Sequence, residues 1–218
     1  MSVKSTRTSV SRSPRKRKGQ GGERREEILA EALRLIGERG VHGVSTRQIA
    51  EAVGISQPSL YAYFPSRDAI VDELHDRAFV LLVQALERFT PTLGTPLEQA
   101  VEYLRVYVDF GLNNPDAYRV AFMIEGAAKV PVTSVEKVEK PAMQAFESVR
   151  EAVRILHAAG RAYDDDPEAI AQCLWAGLHG LVSLLIARPG FPWVEREALI
   201  RTHLTMLARG VLADHAAE

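Results

Sequence analysis

Gln57, Pro58, Ser59, Tyr61 and Tyr63 fall close together in a 218-residue chain. A carboxamide, hydroxyls and two phenol rings make a surface that donates and accepts hydrogen bonds without carrying charge. That is the chemistry of reading another polar surface, not of breaking a bond. Bond-breaking chemistry has little to work with elsewhere. The chain has no Gly-x-Ser-x-Gly elbow, no phosphate-cradling glycine loop and no cluster of histidine with cysteine. Asp164, Asp165 and Asp166 read as a loop ending in a helix cap, and His157 and His203 lack metal-ligand spacing. The single cysteine, Cys173, reads as a small buried hydrophobe. The expectation is a protein that is not an enzyme and needs neither cofactor nor metal.

The surrounding residues must turn these groups outward. Ser45 and Gln48 form a capping box for a short helix, Ile49 and Val53 give it one buried edge, and Ala50 is small where a second helix crosses. Gly54 stands where the chain needs a left-handed turn, which glycine adopts without steric cost. Ser56 caps the next helix, Pro58 is tolerated in its first turn, and Leu60 and Phe64 point back into a core. An ordinary helical hairpin does not require all of these to agree. Thr46 to Phe64 therefore reads as a helix-turn-helix.

Helical period continues on both sides. Ile28, Leu29, Ala32, Leu35 and Ile36 form one stripe, ended by Gly40. Ile70, Leu74, Ala78, Leu81, Leu82, Ala85 and Phe89 form a second, stopped before Pro91. Thr95-Pro96-Leu97-Glu98 is a capping box with proline at the first helical position. It opens a helix presenting Leu97, Val101, Leu104, Val108 and Leu112 and stopping at Asn113-Asn114-Pro115. A short helix follows from Pro115 to about Glu125. The next runs from about Val135 to Ala158, where Pro141 marks either a kink or the true start, and Gly160 ends the segment. Asp166-Pro167 opens a helix with Ile170, Leu174, Leu178, Leu181 and Leu185 along one side, and a last helix spans about Val194 to Leu212. No segment alternates with period two, so the expected class is all-α with about nine helices.

At 46% hydrophobic and 25% charged, the chain has enough apolar residues for a sizeable core. Net charge is only −1, yet residues 1–22 hold seven Lys/Arg and no acid, leaving 20 basic and 28 acidic residues for the rest. The reading is a disordered basic arm that meets a polyanion. The most apolar stretch, Leu178 to Ala187, is too short to cross a bilayer, and the basic N-terminus has no apolar segment behind it. With one cysteine, the expected compartment is the reducing cytoplasm, with no membrane partner.

Glu23 to about Phe79 resembles the DNA-binding domain of the TetR family of bacterial regulators. The match runs through Ile28-Leu29-Ala30-Glu31-Ala32, Thr46-Arg47-Gln48-Ile49-Ala50, Gly54-Ile55-Ser56, Leu60-Tyr61-Ala62-Tyr63-Phe64 and Ser66-Arg67-Asp68. Beyond the basic arm at 1–22, the resemblance implies a DNA-binding domain at 23–68 and a helical effector-binding and dimerisation domain at 69–218. It also implies a homodimer on a palindromic operator of double-stranded DNA. Carried over by position, Thr46 holds a phosphate, Arg47 reaches a base or a phosphate, and Gln57, Pro58 and Ser59 lie over base edges. Gln57 suits a bidentate contact to adenine and Pro58 a thymine methyl. Tyr61 and Tyr63 contact phosphate or base methyls, and Arg67, where the family most often has lysine, binds phosphate. Ala62 departs from the pattern: it is too small for the base contact that a bulkier residue there makes.

Trp175-Ala176-Gly177-Leu178-His179-Gly180 resembles the Trp-x-x-x-His-Gly signature of one C-terminal class of the same family, and Asn114-Pro115-Asp116-Ala117-Tyr118-Arg119 fits that class. The resemblance implies that the last two long helices pair with their twins in a dimer, using Leu174, Leu178, Leu181, Leu185, Leu199, Leu204, Leu207 and Val211. Gly177 and Gly180 would allow close approach, and the same apolar side chains also read as filling one subunit's core. Since the family usually has an effector pocket, Tyr103, Tyr107, Phe110, Phe122, Met123, Met143, Phe146, Trp175 and His179 are its expected lining, suited to a small hydrophobic or aromatic effector. Residues of these types at helical spacing also fill plain cores, and His179 reads as an interior or interface histidine. The expected function is a transcriptional repressor released by that effector. A regulator governed by a protein partner and an activator stay open as alternatives.

Overall fold

The computed structural model describes residues 21–90, 93–123, 140–158, 162 and 166–212. The expected basic arm up to residue 20, Gly160, Asp164 and Asp165, and the stretch from Val135 to Glu139 lie outside the described residues. Nine α-helices and no β-strand are found among the described residues. They are α1 Gly21–Arg39, α2 Thr46–Val53, α3 Gln57–Tyr61, α4 Arg67–Glu87, α5 Pro96–Asn113, α6 Pro115–Phe122, α7 Lys140–Ala158, α8 Pro167–Ala187 and α9 Arg196–Val211. A 3-10 turn at Val41–Gly43 separates α1 from α2. The chain divides into two compact units, Met1–Leu74 and His75–Glu218, so α4 belongs to both.

Local chemistry sets the boundaries. The Ser45 side chain accepts from Gln48 N–H while Ser45 N–H donates to Gln48 Oε1 at 2.8 Å, closing the capping box of α2. The same reciprocal pair, Thr95 with Glu98, opens α5. Asp166 caps α8 by accepting from Glu168 N–H, and Glu195 caps α9. Gly40 and Gly54 are the two described residues with positive φ, at 72° and 73°. They stand where α1 ends and where α2 turns into α3, positions at which a Cβ is strained.

In the first unit Ile28, Leu29, Ala32, Leu35 and Ile36 of α1 pack with Ile49, Ala50, Leu60, Phe64 and Ile70, all buried. Val53 is only partly buried, because α2 ends one residue before the Gly54 turn lifts its last side chain off the core. The Arg25 guanidinium lies 4.6 Å over the Phe64 ring and pairs with Glu73, tying α1 to α4 across the end of the recognition segment.

In the second unit the buried face of α4 is Ala78, Phe79, Leu82, Val83 and Leu86. The expected stripe differs by a rotation: Leu81 is exposed and Ala85 half-buried. A helix of 21 residues that serves two cores need not keep one stripe. Helix α6 ends at Phe122, short of the expected Glu125. Described α7 begins at Lys140 with Pro141 in its first turn, where the missing N–H has no helical partner to lose. Cys173, expected inside, is exposed on α8. Its neighbours Ala171 and Leu174 take the buried positions of that turn. Helix α8 is long and apolar enough, by length and composition, to cross a bilayer. Ile170, Ala171, Leu174, Leu178, Leu181, Val182, Leu185 and Ile186 are nonetheless buried against the rest of the second unit.

Candidate functional site

Two sites emerge, one in each unit. In the first, Thr46 begins α2 and is only 9% exposed. Its Oγ1 accepts from Gln57 Nε2 at 3.0 Å and lies 3.3 Å from Tyr61 Oη, which accepts from the same amide at 3.3 Å. Residues 57 and 61 are one helical turn apart, which places both side chains over the start of α2. Thr46, expected to hold a phosphate, is hydrogen-bonded to both side chains. Hydrogen bonds from Thr46 and then Gln57 hold the Tyr61 phenol below its ordinary pKa.

Pro58, Ser59 and Tyr61 are exposed on α3, while Gln57 and Tyr63 are half-buried. Ser59 Oγ lies 2.8 Å from Ser56 Oγ, so the cap and the expected base-reading hydroxyl are hydrogen-bonded to each other. Arg47 is exposed on α2. Arg67 donates to Asp68 Oδ1 at 3.0 Å and to the Val41 carbonyl at 3.5 Å. A pair with so exposed a carboxylate costs little to exchange for a phosphate. Ala62 is exposed at the C-terminal end of α3.

The second site is a buried polar chain in an aromatic setting. Tyr118 of α6 is wholly buried; its Oη lies 3.1 Å from Tyr107 Oη and 2.7 Å from His179 Nδ1. His179 Nε2 continues to Ser183 Oγ at 3.2 Å. Gly111 makes room for this. A methyl group there would stand 2.5 Å from Val182 Cγ1 and 2.9 Å from Tyr118 Cδ2. Burial pushes the Tyr118 phenol up to about 12 and raises that of Tyr107, while it lowers His179, so the imidazole is neutral at neutral pH.

Rings continue outward from this chain: Phe122 to His179 at 5.5 Å, Tyr107 to Phe122 at 6.0 Å, Trp175 to His179 at 6.0 Å and Phe146 to Trp175 at 6.0 Å. Five of the nine expected lining residues thus meet. Tyr103 instead pairs with Phe89 at 5.3 Å, Phe110 is buried in the core, and Met123 and Met143 are exposed. Tyr118 and Phe79, which packs on Phe122 at 4.9 Å, were absent from the expected lining. The i, i+4 spacing of Tyr118 and Phe122 was the available signal. Among the described residues no three His, Cys, Asp or Glu side chains stand together as a metal site.

Comparisons with known proteins give matches in both units. Residues 28–74 match the bacterial regulatory proteins of the tetR family, and residues 100–207 match the Tetracyclin repressor-like, C-terminal domain. The HTH-type transcriptional regulator RutR of Escherichia coli (strain K12) is 30% identical over 109 residues, 50% of each chain. The nucleoid occlusion factor SlmA of Pasteurella multocida is 29% identical over 103 residues, 45% of this chain and 50% of its own. The chain spans about half the length of these curated relatives. Among solved structures, a Rhodococcus sp. RHA1 protein of unknown function aligns with a TM-score of 0.73 at 23% identity, over 91% of this chain and 100% of that one. The TetR family regulator PfmR of Thermus thermophilus aligns at 0.66 and 22%, over 84% and 97%. With a helix-turn-helix in one unit and a repressor-like helical domain in the other, the chain belongs to the TetR family of DNA-binding transcriptional regulators.

Proposed function

We propose that the protein is a cytoplasmic repressor that binds a palindromic operator as a homodimer and leaves it when a small hydrophobic or aromatic effector enters the second unit. The observation that carries the sensor half is the chain Tyr107–Tyr118–His179–Ser183 set among Phe79, Phe122, Phe146 and Trp175. Apolar walls with a few convergent polar groups are what a small-molecule site needs. Trp175, which meets Phe146 and His179, is exposed at 42%. Tyr103 and Phe110 we place in the supporting core and not in the lining.

The dimer half rests on the outer faces of α8 and α9. Leu184 and Met206 are 50% and 67% exposed, and nothing lies within 4 Å of where side chains would begin at Gly180 and Gly210. Large apolar side chains beside open glycines suit close packing against the same helices of a second copy. On DNA, Arg47, Gln57, Pro58, Ser59, Tyr61, Tyr63 and Arg67 supply the contacts, and Thr46 supports them from beneath. Occupancy of the operator then blocks polymerase, and an effector releases it only by binding better to the conformation that fits DNA worse.

A thermal-shift screen of hydrophobic and aromatic compounds, followed by operator titration with each hit, tests this. A hit should raise the melting temperature and weaken operator binding, and Trp175→Ala should abolish both responses while leaving operator affinity in the absence of the compound unchanged. Light scattering should give a dimer that Leu184→Glu with Met206→Glu converts to a monomer. A monomeric wild-type chain, or hits whose effect survives Trp175→Ala, would overturn the reading.

A further inference from the structure

Gln57 Nε2, Thr46 Oγ1 and Tyr61 Oη form a closed triangle with sides of 3.0, 3.3 and 3.3 Å. Counting protons decides what the triangle presents to a ligand. A carboxamide nitrogen brings two protons and each hydroxyl one. With the nitrogen inward, one amide proton goes to each hydroxyl and one hydroxyl donates to the other. All three sides then carry a proton, and one hydroxyl proton remains.

Reversed, the carboxamide oxygen only accepts. The two hydroxyl protons must then serve three sides, and one pair of oxygens faces lone pair to lone pair. Only the nitrogen-inward orientation satisfies the geometry, and it puts the carbonyl oxygen on the opposite side of the amide carbon. Among the described residues that oxygen has no partner. Thr46 is buried and Tyr61 is 47% exposed, so the remaining proton is the phenol's, directed away from the triangle.

We propose that Gln57 is a specificity-determining residue that offers DNA an acceptor alone, selecting adenine or cytosine through the exocyclic amino group at one position of the site and rejecting guanine and thymine. Guanine presents O6 and N7 and thymine O4 to the major groove, all acceptors that repel a carbonyl oxygen. The bidentate adenine contact expected of a free glutamine is closed to it, because the amide nitrogen is held by Thr46 and Tyr61. The inference rests on α3 being the helix that enters the groove.

The test is selection from a randomised duplex library with the full chain, then titration of sites carrying each base at every selected position. Wild type should show one position where adenine and cytosine are both accepted and guanine and thymine are both rejected, by roughly tenfold, the lower part of the range for one mismatched base pair. Gln57→Glu keeps an outward acceptor: overall affinity falls and the selection stays. Gln57→Ala should erase the discrimination at that position alone. Thr46→Val with Tyr61→Phe frees the amide to turn its nitrogen outward, and guanine becomes accepted there.

All readings are ratios between sites, which a partly folded preparation scales equally. Discrimination that survives Gln57→Ala, or that Thr46→Val with Tyr61→Phe leaves unchanged, overturns the inference while α3 still reads DNA. A wild-type chain that enriches no sequence overturns the groove-reading role of α3 itself.

Discussion

His179 shows how much one residue's surroundings decide. Among the described residues its partners are uncharged: the Tyr118 and Ser183 hydroxyls on its two nitrogens, and the rings of Phe122 and Trp175. Burial therefore lowers its pKa without any acid to offset the effect. The folded state holds the imidazole neutral at pH values where the unfolded chain, with an ordinary pKa of about 6.5, already binds a proton. Stability contributed by the neutral ring is thus complete at and above neutral pH and is lost as pH falls from about 6.5 toward the lower folded value. Melting temperature measured from pH 7.5 to 5 should decline, and His179→Gln, which cannot charge, should flatten that decline. An equally steep curve for the variant would place the acid sensitivity elsewhere.

At the scale of elements, Gly111 of α5 is the point at which three helices depend on one missing methyl. Gly111→Ala would press on Val182 of α8 and on the ring of Tyr118 of α6, both buried. Neither neighbour has a free direction to move, so the substitution should cost about 1–3 kcal/mol in chemical denaturation. The same change at Gly180, which has nothing against it, should cost far less within one subunit.

The contrast also marks what sequence can deliver. Ser45–Gln48, Thr95–Glu98 and the Gly54 turn were legible because each is a local arrangement whose partners lie three or four residues apart. The helix-turn-helix and the all-α class followed from them. The Tyr118–His179 bond joins residues 61 apart, and the local spacing of Tyr118 and Phe122 does not say which distant side chain answers the phenol. The exposure of Leu81 and Cys173 was hidden for a related reason. Which side of a helix is buried depends on which helices lie against it.

For the whole molecule, charge is distributed by unit more than by total. Residues 1–20 carry seven Lys/Arg and no acid in a chain of net charge −1. Each basic side chain that displaces a condensed counterion steepens the fall of affinity with salt. Deleting residues 2–20 should lower the slope of log affinity against log salt while leaving base preferences unchanged; an identical slope would show that the arm makes no phosphate contact.

The chain from Tyr107 through Tyr118 and His179 to Ser183 has a further property: it has a direction. A neutral imidazole donates from one nitrogen and accepts at the other. If Nδ1 carries the proton, Tyr118 accepts from His179 and donates to Tyr107, and Ser183 donates to Nε2. If Nε2 carries it, every one of these roles reverses. Where Tyr118 donates to Nδ1, no link can be turned alone without leaving two lone pairs or two protons face to face. A group that accepts the Tyr107 proton leaves Tyr118 to donate to Tyr107, and so selects the Nδ1-protonated tautomer of His179 and with it the orientation of a hydroxyl on α8, with no heavy atom displaced. In that sense the chain behaves as a single two-position element whose ends lie on different helices.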